Sequence, residues 1–266
     1  MPATGFKTIF PCLICVAFLL LSSPDACATD KLVTYRGPEN SMGTFASSFY
    51  LMQTLEGDST RADRLVLADA FGYVIILKKA DRGYVREWKS FHLGSMVKGL
   101  FCSDLANDGE PNLVVFTVDR VFVFGGRSRA LIWESVESDF TDIRCMTIGE
   151  FDGIDPQKEL LIMAGGSLLI YDGVRFNREW EGTDPYGASE MVVGDVDGDG
   201  EEEVVMNSGF IFGALTHAVE WQTENFGTRL GLIDLDGDGI LEVIGESTGG
   251  KLNVYDIDKR QEKQDL

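Results

Sequence analysis

The chain has 266 residues, 44% of them apolar, and a formal net charge of −20 from 23 Lys and Arg against 43 Asp and Glu. Such acidity argues against nucleic acid and anionic lipid surfaces as partners, while the apolar fraction suffices for a sizeable core. Cysteine occurs 5 times and histidine 2 times, which leaves no material for a disulfide framework or a His/Cys metal cluster.

Residues 1–28 read as an export signal. Lys7 gives a short positive start, Ile9 to Leu21 is an almost unbroken apolar run, and Ala26-Cys27-Ala28 is a small-residue cleavage site. The run is shorter than the ~20 apolar residues of a membrane-spanning helix, so cleavage near Thr29 and a secreted or periplasmic protein without membrane insertion are expected. Cleavage would remove Cys12, Cys15 and Cys27 and leave Cys102 and Cys145. These two either bridge neighbouring repeats or are small buried core residues, and the second reading is preferred.

From residue 29 onward the chain repeats with a period of roughly 45 residues. Asp63, Asn112, Glu159, Glu203 and Glu242 each precede a short apolar strand: Leu65 to Leu67, Leu113 to Phe116, Leu160 to Met163, Val204 to Met206, and Val243-Ile244. A further strand follows in each repeat, at Tyr73 to Leu77, Val121 to Phe124, Leu168 to Tyr171, Phe210 to Phe212, and Leu252 to Tyr255. Trp88, Trp133, Trp180 and Trp221, the only 4 tryptophans, then fall once per repeat. They are expected to pack between repeats.

Four short strands per period, with Gly/Asp/Asn-rich turns and no helical periodicity, predict an all-β, five-bladed β-propeller of four-stranded antiparallel blades. The fifth repeat lacks a tryptophan strand, and residues 257–266 read as a flexible, charged tail. Leu32 to Tyr35 can supply the missing strand, so that strands from both termini close the ring and leave no open edge.

Two loops carry the chemistry. Gly194 to Met206 and Leu232 to Gly245 place carboxylates at positions one, three, five and nine: Asp195, Asp197, Asp199 and Glu203, then Asp234, Asp236, Asp238 and Glu242. Gly200 and Gly239 at position six permit a sharp turn, and the carbonyls of Glu201 and Ile240 at position seven add oxygen donors. Hard oxygens at this spacing suit Ca²⁺. An EF-hand would need flanking helices and a glutamate at position twelve, where Met206 and Gly245 stand, so a strand–loop–strand unit is expected. Two further loops are partial: Asp104, Asp108 and Asn112, with Ala106 at position three, and Asp152, Asp155 and Glu159, in a loop one residue longer.

This unit resembles the FG-GAP or VCBS repeat, the calcium-binding blade of integrin α-subunit propellers and of many exported propellers. Phe226-Gly227 ahead of Asp234 is similar to the Phe-Gly of that name. The resemblance implies an exported, calcium-stabilised and non-enzymatic module, monomeric as a domain, that recognises an extracellular or envelope protein or a glycan. Alternatives are an enzyme of polysaccharide lyase or phosphodiesterase type working at the central funnel, and a scaffold subunit of an envelope complex. His92 and His217 lie in different repeats and read as solvated or structural, and no nucleophile elbow or phosphate-binding glycine loop is present.

Overall fold

The structure is a computed structural model that describes residues 49–56, 62–81, 83–182 and 185–263. The first sheet holds β1 (Phe49–Glu56), β2 (Ala62–Asp69), β3 (Val74–Ala80) and β4 (Gly83–Lys89). The second holds β5 (Gly99–Ser103), β6 (Asn112–Phe116), β7 (Val121–Gly125) and β8 (Leu131–Glu134). The third is β9 (Ile143–Gly149), β10 (Glu159–Ala164), β11 (Ser167–Asp172) and β12 (Arg178–Gly182), and the fourth β13 (Met191–Gly194), β14 (Glu203–Met206), β15 (Phe210–Gly213) and β16 (Ala218–Gln222). The fifth comprises β17 (Arg229–Ile233), β18 (Glu242–Glu246), β19 (Leu252–Asp256) and β20 (Gln261–Lys263). Within each sheet the strands lie in chain order with antiparallel neighbours, and no helix occurs among the described residues. The leader at 1–28 and the strand expected at Leu32 to Tyr35 lie outside the described residues.

The second and third strands of the middle sheets are apolar except at their ends because both of their faces are covered. In β10, Leu160 and Ile162 face the second sheet, where they join Val114 and Val123. Leu161 and Met163, one residue out of phase, face the fourth sheet and meet Val204, Met206 and Phe212. Successive residues point to opposite faces of a strand, so a sheet sandwiched between two others shows no polar alternation. The core is therefore a set of layers between successive sheets rather than one central cluster.

The tryptophans sit in these layers near the outer edge. Trp88 of β4 meets Phe124 of β7 at 5.4 Å between ring centroids, Trp133 of β8 stacks on Phe176 at 4.8 Å, and Trp180 of β12 meets Phe212 of β15 at 5.8 Å. Of the outer strands, β4 and β12 otherwise expose mostly charged side chains, as suits strands at a sheet edge, whereas β8 exposes Leu131 and Ile132 and β16 exposes Ala218 and Val219 beside Glu220 and Gln222.

The inner strands touch in chain order: β1 beside β5, β5 beside β9, β9 beside β13 and β13 beside β17. No contact of that extent joins β17 to β1 among the described residues. The C-terminal segment differs from the free tail expected at 257–266. Ile257 is buried, and Gln261, Glu262 and Lys263 pair with Asp256, Tyr255 and Val254, so β20 takes the fourth-strand position assigned above to Leu32 to Tyr35. A charged sequence is what an exposed edge strand requires, and for that reason it reads like a tail.

Candidate metal centre

Each acidic loop joins the first strand of a sheet to the second, so all of them emerge at the same end of the sheets. β13 and β14 flank one full loop and β17 and β18 the other, with strands on both sides. The loops share a hydrogen-bond framework. The side chain at position nine reaches back to the backbone N–H at position two: Glu203 Oε2 accepts from Val196 at 2.9 Å and Glu242 Oε2 from Leu235 at 2.7 Å. The carboxylate at position one folds over the turn. Asp195 accepts from Gly198 and Gly200 at 2.7 and 3.2 Å, and Asp234 from Gly237 and Gly239 at 2.7 and 3.2 Å. Gly200 and Gly239 have φ of 90° and 93°, the left-handed region that a Cβ disfavours.

The partial loops use the same framework. Asn112 Oδ1 accepts from Leu105 at 3.2 Å, and Asp104 accepts from Asp108 and Gly109 at 3.1 and 2.7 Å. Glu159 Oε2 accepts from Phe151 at 2.6 Å, and Glu150 takes the position-one role toward Asp152 and Gly153. The extra residue of this loop therefore leaves its two ends in register. Neighbouring loops are also tied to each other: Leu241 donates to the Asp195 carbonyl at 3.2 Å and Lys158 to the Leu105 carbonyl at 2.9 Å.

Within these frames the carboxylates converge. Oxygens of Asp195, Asp197 and Asp199 lie within 4.8 Å of one another, as do those of Asp234, Asp236 and Glu242. A third group is Glu150, Asp152 and Glu159, with Glu150 in place of the expected Asp155, which instead accepts from Gln157 at 2.8 Å. Asp238 is turned to its own loop, accepting from Ile240 at 2.9 Å, and Asp199 accepts from Glu201 at 2.8 Å. Asp104 and Asp108 form no such group among the described residues.

Glu220 of β16 is the residue that spacing alone does not reveal. It joins Asp197 and Glu203 in a further group within 4.8 Å, although it lies outside the loop in sequence. A signal exists in the glutamate that precedes Trp88, Trp180 and Trp221. Glu179, the equivalent residue of β12, is raised by burial and by the charges of Asp172 and Asp152.

Burial pushes the Glu203 carboxyl up to about 8, and repulsion from Asp197, Glu220 and Asp199 adds to it, against the hydrogen bond from Val196. Burial likewise pushes Glu159 up to about 8, helped by Asp152 and Glu150. All donors are hard oxygens, with one buried glutamate beneath exposed aspartates, and a divalent cation among them would offset the repulsion and reverse these shifts. The donor sets fit a hard cation held by the first three or four carboxylates of each full loop.

No protein-family model and no curated protein matches the chain. Solved structures do. The Neurospora crassa Pan2 WD40 domain is similar with a TM-score of 0.57 at 13% identity, over 84% of this chain and 67% of that one. Saccharomyces cerevisiae Sqt1 aligns with a TM-score of 0.58 at 10% identity over 81% of this chain, which spans 61% of its length. The V. cholerae biofilm matrix protein Bap1 gives 0.55 at 17% identity over 81% of this chain, which spans 38% of its length. At these identities the likeness concerns the fold alone, and it shows antiparallel sheets arranged in the manner of a β-propeller.

Proposed function

We propose that the chain is an exported, five-bladed propeller of FG-GAP/VCBS type whose blades are clipped by Ca²⁺, and that it serves as a non-enzymatic binding module. The observation that carries the metal reading is the repeated loop frame, which brings Asp195, Asp197 and Asp199, and again Asp234, Asp236 and Glu242, within 4.8 Å. Asp238, Glu203 and the carbonyls of Glu201 and Ile240 complete the ligand sets in this reading. The ion ties the end of an inner strand to the start of the next and stabilises the folded state by binding it preferentially. A propeller presents a broad face assembled from several sheets, which suits recognition of an extracellular or envelope protein or a glycan.

Both histidines have structural partners, which supports binding over catalysis. His92 Nδ1 accepts from Gly94 at 3.0 Å, and His217 Nε2 lies 2.7 Å from the Phe151 carbonyl. The direct test is a thermal melt of the secreted protein in chelator and in millimolar calcium. A rise of several degrees with calcium, and none with magnesium at the same concentration, is expected. Equal melting in all three buffers would remove calcium from the reading.

A further inference from the structure

Where one sheet packs on the next, the same aromatic device recurs. Trp88, Trp133, Trp180 and Trp221 stand opposite Ile76, Val123, Ile170 and Ile211 on the third strands of their own sheets. Trp88, Trp133 and Trp180 then meet an aromatic residue on the third strand of the following sheet: Phe124 at 5.4 Å, Tyr171 at 6.4 Å and Phe212 at 5.8 Å between ring centroids. Between the fourth and fifth sheets Phe226 lies between Trp221 and Tyr255, at 6.4 and 4.9 Å. From the fifth sheet to the first, both members of the pair are replaced. The fourth-strand residue opposite Val254 is Lys263, and Leu77 stands where Phe124, Tyr171 and Phe212 stand in their sheets.

The first sheet nevertheless has an apolar, covered face on that side. Val66, Ala68, Val74 and Ile76 point to the second sheet, while Leu67, Ile75 and Leu77, one residue out of phase, form a separate cluster with Leu65 and Tyr84. Leu67, Ile75 and Leu77 are only 4% to 8% exposed, yet no residue of the fifth sheet belongs to their cluster. On the face of the fifth sheet turned away from the fourth, Val254 is covered, but Ile233 and Leu252 are open at 43% and 46%. Side chains stand out from a strand toward whatever packs on it, so the first sheet needs a further layer that the fifth does not supply along its length.

We propose that residues 29–48 are that layer, docked on the first sheet with Leu32, Val33 and Tyr35 against Leu67, Ile75 and Leu77. The segment lies outside the described residues and runs directly into β1 of the same sheet at Phe49. From Tyr35 to Phe49 the chain can extend ~45 Å at ~3.3 Å per residue, more than the ~15 Å that four strands cover at their usual spacing. Its charged residues, Asp30, Lys31, Arg36 and Glu39, balance, so in a chain of net charge −20 it brings no added repulsion to the junction. Tyr35 supplies an aromatic ring where Lys263 stands in place of a tryptophan. The proposal rests on the order and register of the sheets and is independent of the calcium and recognition readings.

The test uses the full chain with benzoylphenylalanine at position 35 in place of Tyr35. Irradiation followed by peptide mapping should show a cross-link within one chain to the segment 64–80. A cross-link to any other part of the chain, a covalent dimer, or no cross-link overturns the proposal; the dimer would assign the face to a second copy. Leu77→Cys reports on the same face without a photoreactive group. Its thiol should react slowly with iodoacetamide, and adding Val33→Asp should speed the reaction about tenfold or more by lifting the segment away. Rapid labelling of Leu77→Cys by itself, or a rate that Val33→Asp leaves within about twofold, also overturns the proposal.

Discussion

His217 Nε2 donates a hydrogen bond to the carbonyl of Phe151 at 2.7 Å, and through it the β15–β16 turn of the fourth sheet holds the acidic loop of the third. The same Phe151 donates its N–H to Glu159 at 2.6 Å, so the two peptide groups flanking one residue are both held. His217 also packs against Trp180 at 4.9 Å between ring centroids. His217→Ala removes the only side-chain donor seen on that carbonyl and part of the packing. A loss of ~1–3 kcal/mol of stability is expected, measured as a lower urea midpoint at unchanged m-value. An unaltered midpoint would mean that the two sheets are held by their apolar layer alone.

The pH dependence of the metal-free protein follows from Glu203 and Glu159, both pushed from an ordinary 4.5 up to about 8. A carboxyl that binds its proton more tightly when folded contributes stability that is complete below the unfolded value and is lost as pH rises through the folded one. In chelator, stability should therefore fall between pH 4.5 and about 8. Glu203→Gln stays neutral and keeps an acceptor for Val196, so its decline should be shallower. Melts from pH 5 to 9 in EDTA check this, and a stability that rises over that window contradicts it.

Calcium should restore what alkaline pH removes. A site filled at about 100 times its Kd contributes ~2.7 kcal/mol, and two sites contribute more. Asp195→Asn and Asp234→Asn each retain an oxygen for one of the two loop hydrogen bonds and lose a charge from the donor set, and in EDTA the relief of carboxylate repulsion offsets the bond lost. Each is expected to melt near wild type in EDTA and to recover only part of the calcium shift. Because Leu241 of the second loop donates to the Asp195 carbonyl at 3.2 Å, the double variant should depart from additivity. Two losses that sum within ~0.3–0.5 kcal/mol would show that the loops act independently.

Much of this architecture was legible in the sequence because the repeat imposes its own ruler. Apolar runs such as Leu160 to Met163 and the once-per-repeat tryptophans mark strands with two covered faces and an outer edge, and both landmarks are local in sequence. The D-x-D-x-D-G spacing likewise places Asp195 and Asp234 at their turns, since nine residues suffice to define the loop. What spacing did not reveal lies between elements. Glu220 reaches the loop from β16, and Glu150 replaces Asp155 because the inserted residue shifts the turn; neither relation is visible until strands pair. β20 escaped notice because its three residues, Gln261, Glu262 and Lys263, carry no apolar pattern and its pairing with β19 is visible only once the strands meet.

Burial pushes the thiols of Cys102 and Cys145 up to about 12, chiefly by removing them from water. Both are free thiols on β5 and β9, neighbouring inner strands, and neither takes part in a bridge. The thiolate is the reactive form, so neither residue should be alkylated by iodoacetamide at pH 8 in the folded protein. Both should react fully in guanidinium. Mass spectrometry of the two samples decides; rapid labelling of the native protein would show that these strands open readily.

Removing residues 261–266 tests whether β20 protects the last sheet. Tyr255 pairs with Glu262 and Asp256 with Gln261, so truncation exposes the backbone groups of β19 along one side. Leu252 is already 46% exposed on that strand. An unpaired edge without the charges of Glu262 and Lys263 is a template for another strand. The truncated chain should keep its far-ultraviolet spectrum yet form dimers or larger species, seen by light scattering as concentration rises. A truncated protein that stays monomeric at every concentration would indicate that another part of the chain covers β19, as the segment from Leu32 to Tyr35 would in a ring closed by both termini.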